Sequence, residues 1–428
     1  MNSPKLVVAF IAAAVVFPTI AADWPQYAGP HQNRSTPEKI QKTFPSGGPK
    51  AVWRVPTPGG FSSFAVSGGK AFTLVMRNIE GADRETLVAM DANTGKELWF
   101  APLGPIKIND GGHQGADDNK GGDGPRATPS VDGNSVYVNS SRLVVSCFDA
   151  ESGKSVWSHD LLKDFSGRNI SWGNAASALV DGDLVFIGGG GAGQSLIAFD
   201  KATGKVAWKA HDEKITHSTP VAGTILGQRQ VIFFTQSGLI SVNPKDGALL
   251  WKHPFRYNVS TAISPVIADD IVYCAAGYGV GATAARISKD GNGFKATQLW
   301  ISVNNKPVAN HWSTPVYHDG HLYGMFSFKE YGDGPLKCVE LATGKVKWEQ
   351  PGFGAGNVVL VGNTVLALSD KGELIQVEPT PTAYKELSRA KVVTGKCWST
   401  PTVANGRIYV RSTKEAACFD AGVSVASK

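Results

Sequence analysis

The residues best suited to do chemistry share one register. Phe61, Arg126, Ala175, His217, Ala262, Trp312, Ala355 and Trp398 each stand just ahead of a Ser/Thr-Pro step or its equivalent in a sequence repeat. His311 directly precedes Trp312, and Trp172 lies close before Ala175. Aromatic faces beside a guanidinium and imidazoles suit a flat, anionic or sugar-like ligand. The same side chains equally suit a plug that fills the centre of a closed fold. Other candidates are weaker. Asn109 to Gly124 carries Asp110, Asp117, Asp118 and Asp123 among glycines, and such carboxylates can hold a hard cation. Their spacing matches no calcium loop, so the stretch reads as a solvated turn. The run from Gly188 to Gly193 precedes no helix, which argues against a phosphate cradle. No GxSxG elbow or HExxH motif occurs.

Cys147, Cys338 and Cys418 fall at a register filled elsewhere by Ala89, Ala198 and Ser241. That is a slot for a compact side chain, and the cysteines read as structural rather than as metal ligands. Cys274 and Cys397 are isolated, and the odd total of 5 leaves at least one free thiol.

The elements that position these residues come from the repeat. LVAMDANTGKELW, ending at Trp99, returns in related form ending at Trp157, Trp208, Trp251 and Trp348, with weaker copies ending at Trp300 and Leu387. Each copy reads as a strand, a turn whose Gly takes positive φ, and a return strand. A second strand pair precedes each one. Four strands per unit at a period near 50 mark a β-propeller blade. Seven full units run over 61–99, 126–157, 174–208, 217–251, 261–300, 311–348 and 354–387. The segment from Trp398 to Asp420 supplies three more strands, and Ala51 to Val55 reads as the missing outer one. The expectation is therefore an all-β, eight-bladed propeller closed by pairing residues 51–55 with the C-terminal blade, which removes an open edge. The repeated Trp should wedge between neighbouring blades over the Gly turn.

With 42% hydrophobic and 18% charged residues, 49 glycines and 24 prolines, the chain has core enough to fold and many turns. A net charge of +6 spread over 428 residues is no nucleic-acid footprint. Met1 to Ala22 has a basic start at Lys5, an apolar run from Leu6 to Phe17 and small residues at its end. It reads as a cleavable export signal. No cysteine lies near its end, so a soluble periplasmic or extracellular protein without a lipid anchor is expected. Residues 23–50 form a Pro-rich N-terminal extension and 51–428 the propeller domain.

The DAxTGKxxW hairpins resemble those of the quinoprotein-like propellers, the eight-bladed group that includes PQQ-dependent dehydrogenases and the outer-membrane assembly factor BamB. The opening DWPQYAGPHQNRS, GDGPRATPSVDG at 122–133 and WGNAASALVDGD at 172–183 are similar to exported PQQ-like repeat proteins. The resemblance covers essentially the whole chain after the leader. It implies either of two functions. One is a non-catalytic, monomeric scaffold that binds an envelope protein or a small planar, anionic or sugar-like ligand. The other is a periplasmic quinoprotein alcohol or sugar dehydrogenase. That enzyme would hold pyrroloquinoline quinone (PQQ) with Ca²⁺ at a mouth built from Arg126, Trp172, His217, His311, Trp312 and Trp398. The chain departs from the dehydrogenases in lacking a Cys-Cys pair and a CxxCH haem site, and from BamB in lacking a lipobox cysteine. No Asp or Glu stands out as a catalytic base.

Overall fold

The repeated hairpin turn is held by its own side chains. Asp200 Oδ1 accepts from the backbone N–H (2.8 Å) and hydroxyl (2.7 Å) of Thr203, and Asp91 and Asp149 do the same with Thr94 and Ser152. The hydroxyl bonds keep these three carboxyls below their ordinary range. The glycine that follows takes φ of +71° at Gly95 and Gly204, where a side chain would be strained.

That glycine has a second reason to lack a Cβ: it carries the tryptophan of the preceding blade. A Cβ on Gly95 would lie 2.7 Å from Trp53, on Gly153 2.5 Å from Trp99, on Gly204 2.7 Å from Trp157, on Gly247 2.6 Å from Trp208, and on Gly344 2.8 Å from Trp300. Each indole N–H then donates to a carbonyl of that next blade, as from Trp157 to Lys201 O (3.0 Å) and from Trp208 to Pro244 O (2.8 Å). The wedge expected from the repeat is therefore present, and the Gly turn beneath each Trp belongs to its neighbour. Two tryptophans differ. Trp251 faces blade five, whose outer hairpin (Gly281–Asp290 with Gly293–Val303) is long, and its N–H goes instead to Gln230 Oε1 at 2.7 Å. Trp348 meets blade seven, which has no such glycine, and packs on Tyr384 at 5.6 Å between ring centres.

The computed structural model describes residues 22–105, 124–256, 259–304, 308–326 and 334–422. The leader up to Ala21 and the acidic loop from Asn109 to Asp123 lie outside the described residues. Strands form eight antiparallel sheets of the blade type. Blade three is representative: Leu179–Asp181, Leu184–Gly188, Leu196–Asp200 and Val206–Ala210 pair in chain order. Blade eight comprises Thr402–Ala404, Arg407–Arg411 and Glu415–Asp420, closed by Ala51–Pro56 with Trp53 opposite Cys418. The closing pair is the one expected. Among the described residues, helix is confined to one turn, Leu161–Asp164, and no helix is long and apolar enough to cross a membrane.

All five cysteines are buried free thiols. Cys147 and Cys338 sit opposite Trp157 and Trp348, as Ala89 and Ala198 sit opposite Trp99 and Trp208. Burial pushes the thiol up to about 11 at Cys338 and about 12 at Cys397 and Cys418. They are packing groups, protonated at neutral pH. The glycines from Gly188 to Gly191 join two strands of blade three. They admit close contacts: a Cβ on Gly191 would lie 2.5 Å from Ser166 O, and on Gly188 3.0 Å from Ile215.

The first strand of each blade faces the central channel, and a relay of hydroxyls ties these strands together. Ser63 N donates to Thr128 Oγ1 (3.1 Å), Thr128 N to Ser177 Oγ (2.9 Å) and Ser177 N to Thr219 Oγ1 (2.9 Å). Ser264 N donates to Thr314 Oγ1 (3.0 Å), and Thr400 N to Ser63 Oγ (2.8 Å), which crosses the closure of the ring. The Ser/Thr of the Ser/Thr-Pro step is thus a blade-to-blade tie. In blade seven the slot holds Asn357. There the buried Arg34 inserts, its Nη2 donating to Asn357 Oδ1 (3.3 Å), Val358 O (3.3 Å) and Thr400 Oγ1 (2.9 Å).

Arg34 arrives on the segment 22–50, which lies across one end of the channel. Trp24 pairs with Val66 of blade one. Gln26 brackets the backbone of Val180 in blade three, accepting from its N–H and donating to its carbonyl, both at 3.3 Å. Gln32 accepts from Ala222 N in blade four at 2.6 Å. Ser35–Thr36 then adds a short parallel strand to Asn357–Val361 of blade seven. These contacts satisfy inner-strand edges that would otherwise face the channel unpaired.

Candidate functional site

The mouth residues stand two positions before the hydroxyl tie of their blade, so the ring of first strands carries them to one end of the channel. The structure brings them together in two linked groups. Trp398 of blade eight stacks on Phe61 of blade one at 5.1 Å between ring centres, and packs tilted by 37° against Trp312 of blade six at 4.7 Å. Trp312 reaches that far because blade seven offers only Ala355 between them, and its indole N–H donates to Ala355 O (3.1 Å). The ammonium of Lys396 lies 4.7 Å from the Trp398 ring centre.

The second group spans blades two to four. Arg126 Nη1 donates to Trp172 O (2.8 Å), and the Trp172 ring lies 6.4 Å from His217. His217 is bound at both ring nitrogens, Nε2 to Ser171 O (2.9 Å) and Nδ1 to Ser260 Oγ (3.0 Å). His311 joins the groups, lying 4.8 Å from Trp312 and meeting Tyr278 edge-on at 5.0 Å.

Burial sets the charge of the two imidazoles. Burial lowers His217 to about 4 and His311 to about 3, with Arg126 adding to the shift at His217 and His217 adding to it at His311. Both imidazoles are neutral near pH 7. The positive charge of the mouth therefore rests on Arg126 and Lys396.

A carboxylate that the sequence did not single out stands near Arg126. Glu85 is 2% exposed, and its Oε2 accepts from Ser141 N (2.9 Å) and Ser141 Oγ (2.7 Å). Burial raises its pKa, against the pull of Ser141 and of the Arg126 charge. Its only linear signal is an acid inside the strand Ala82–Asp91 where burial should alternate. Asp370 is also buried, packed against the backbone of Gly354 just before Ala355.

At the opposite end of the same strands lies a polar cavity of about 650 Å³. Gln26, Gln32 and Arg34 line it on the N-terminal segment, and Asp132, Asp181 and Arg229 on the blades. Arg229 pairs with Asp181 across blades four and three. No residue of this cavity belongs to the set read from the sequence.

The donor set of the mouth does not fit PQQ with Ca²⁺. The aromatic faces that would sandwich a planar ring are packed on one another, Trp398 stacked on Phe61 and tilted against Trp312. Among the described residues no cluster of three His, Cys, Asp or Glu groups is placed to hold a metal. No two cysteines are adjacent in sequence.

Residues 82–350 and 332–421 match the family profile described as outer membrane protein assembly factor BamB. BamB of Yersinia pestis is 22% identical over 258 residues, which make up 58% of this chain and 62% of that protein. The chain thus spans less than two thirds of the curated relatives it matches first. Among solved structures, BamB from Moraxella catarrhalis superposes with a TM-score of 0.56 at 15% identity, over 86% of this chain and all of that one. The quinohemoprotein alcohol dehydrogenase from Comamonas testosteroni gives 0.61 at 14% identity, over 95% and 81%. At such identities the superpositions show a shared propeller. With the family profile covering most of its length, the chain belongs to the family of the outer membrane protein assembly factor BamB.

Proposed function

We propose that this protein is an exported propeller of the cell envelope that acts without catalysis, presenting its aromatic channel mouth to a protein partner. The observation that carries this reading is how the mouth residues are used. Phe61 stacks on Trp398, which packs tilted against Trp312, His217 is bound at both nitrogens, and Arg126 holds Trp172 O. Such a mouth is a preorganised surface of half-buried Trp172, Trp312 and Trp398 with cations at its rim. Rigid aromatics and arginine are the side chains that anchor protein interfaces. Membership of the BamB family supports a partner in outer-membrane assembly, and the leader-like residues 1–22 support export to the periplasm or beyond.

The test is site-specific photo-crosslinking in the native envelope. A photoreactive residue in place of Trp398 should yield one defined protein adduct, and the same residue in place of Val206, exposed on an outer strand, should not. The same adducts from both positions, or none from Trp398, would remove the mouth as the docking surface.

A further inference from the structure

One buried charge has no cationic side chain to answer it. Glu38 is 2% exposed. Its Oε1 accepts from the backbone N–H of Ala22 (2.8 Å) and of Asn405 (2.7 Å), and its Oε2 from that of Gly406 (2.9 Å). Among the described residues no Lys, Arg or His side chain forms an ion pair with it. All three donors to this carboxylate are backbone amides, and none of them carries a charge. A positive charge on one of its three nitrogens would answer it, and only Ala22 can carry one.

The sequence puts the end of an export leader at this point. The leader read from the sequence ends at Ala22; a cut one residue earlier, after Ala21, also suits the small residues there, and the structure separates the two. A cut after Ala22 would take away both the N–H that Glu38 receives and the Ala22 carbonyl to which Asn405 N donates at 3.2 Å. It would also place the new charge on Asp23, whose carboxylate is already engaged with Ser67 Oγ and Asn405 Nδ2, both at 2.8 Å. A cut after Ala21 leaves every one of these contacts in place and turns the amide donor on Glu38 into an ammonium.

We propose that a leader peptidase cuts between Ala21 and Ala22, and that the α-ammonium so formed is the counter-charge of buried Glu38. Water adds across the peptide bond: its oxygen becomes part of the new Ala21 carboxylate, the C–N bond breaks, and both water protons end on the Ala22 nitrogen as the ammonium. Processing thereby turns an amide–carboxylate hydrogen bond into an ammonium–carboxylate ion pair. It pins the start of the segment 22–50 to the Asn405–Gly406 turn of blade eight, just before Trp24 pairs with blade one. Maturation and ring closure are thus coupled at one carboxylate. The inference rests on the export reading and is independent of what the mouth binds.

The full-length chain, expressed in an exporting bacterium and purified, is measured by intact mass and then labelled with 2-pyridinecarboxaldehyde, which reacts with a free α-amine. The expected mature chain starts at Ala22. Its amine should label at least about tenfold more slowly in the folded protein than in urea, and faster in Glu38→Gln. A chain starting at Asp23 or beyond, or an Ala22 amine as reactive folded as unfolded, overturns the proposal while leaving export standing. Retention of residues 1–21 overturns both. The folded-against-urea comparison decides even if Glu38→Gln does not fold.

Discussion

Replacing Gly204 by alanine separates two reasons for a glycine in the repeat. Gly204 has φ of +71° and Gly182 φ of +60°, so alanine at either meets the left-handed penalty, about 1–2 kcal/mol. Their surroundings differ. The new Cβ at Gly182 has open space, whereas at Gly204 it falls 2.7 Å from Cγ of Trp157 and 3.0 Å from Cβ of Trp157. Contact with Cβ means that the indole cannot simply rotate aside; the blade interface must open. Overpacking of this kind costs about 1–3 kcal/mol, and displacing the 3.0 Å bond from Trp157 Nε1 to Lys201 O adds about 1 kcal/mol. Gly204→Ala should therefore be about 2–4 kcal/mol less stable than Gly182→Ala. Urea unfolding followed by tryptophan fluorescence measures both against the parent, with unchanged slopes required for the comparison. Equal losses in the two variants would mean that the glycine serves backbone conformation alone and that the wedge has no energetic role.

Trp208→Ala should cost about 3–5 kcal/mol, and a melting shift under about 1 °C would contradict the wedge. Arg34→Ala removes three donations to blades seven and eight, for about 2–3 kcal/mol. Hydrogen exchange should then rise first in Asn357–Val361 and Thr402–Ala404, and an even rise through all blades would refute the ring-tie role. The buried histidines predict acid sensitivity. Their folded pKa values, about 4 for His217 and about 3 for His311, lie below the unfolded value of about 6.5. The stability they favour is thus complete above pH 6.5 and is lost as pH falls toward 4, at up to about 1.4 kcal/mol per pH unit for each. His217→Gln should flatten the melting profile in that window, and an unchanged slope would mean that His217 is already charged in the fold.

Much of the architecture could be read from the sequence because each blade repeats the same local solution. Trp99, Trp157 and Trp208 mark outer strands, the Asp-x-x-Thr-Gly turns fix hairpin register, and small residues such as Cys147 and Ala198 mark the position facing the indole. The orphan strand at 51–55 followed from counting strands. What escaped was non-repetitive. The segment 22–50 has no periodicity, and its contacts join residues far apart in the chain: Gln26 with Val180, Gln32 with Ala222, Arg34 with Thr400. The mouth register was legible, since alignment on the Ser/Thr-Pro step brings Arg126, Trp312 and Trp398 to one end. The charge state of His217 and His311 was not, because burial decides it, against hydrogen bonds to Ser171 and Ser260 that favour the protonated rings. Glu85 was missed for the same reason: nothing in LVAMD or its flank foretells Ser141 of blade two closing over a carboxylate.

The central claim, that the aromatic mouth is a preorganised surface for a protein and not a cofactor cleft, is tested most directly by titrating the purified mature protein with PQQ and Ca²⁺. Intrinsic tryptophan fluorescence and melting temperature are followed together. With Phe61, Trp398 and Trp312 already packed against one another, the account predicts no saturable quenching and no rise in melting temperature through high micromolar cofactor. Saturable quenching with a concentration-dependent rise in melting temperature, both abolished by Arg126→Ala and Trp312→Ala, would contradict it.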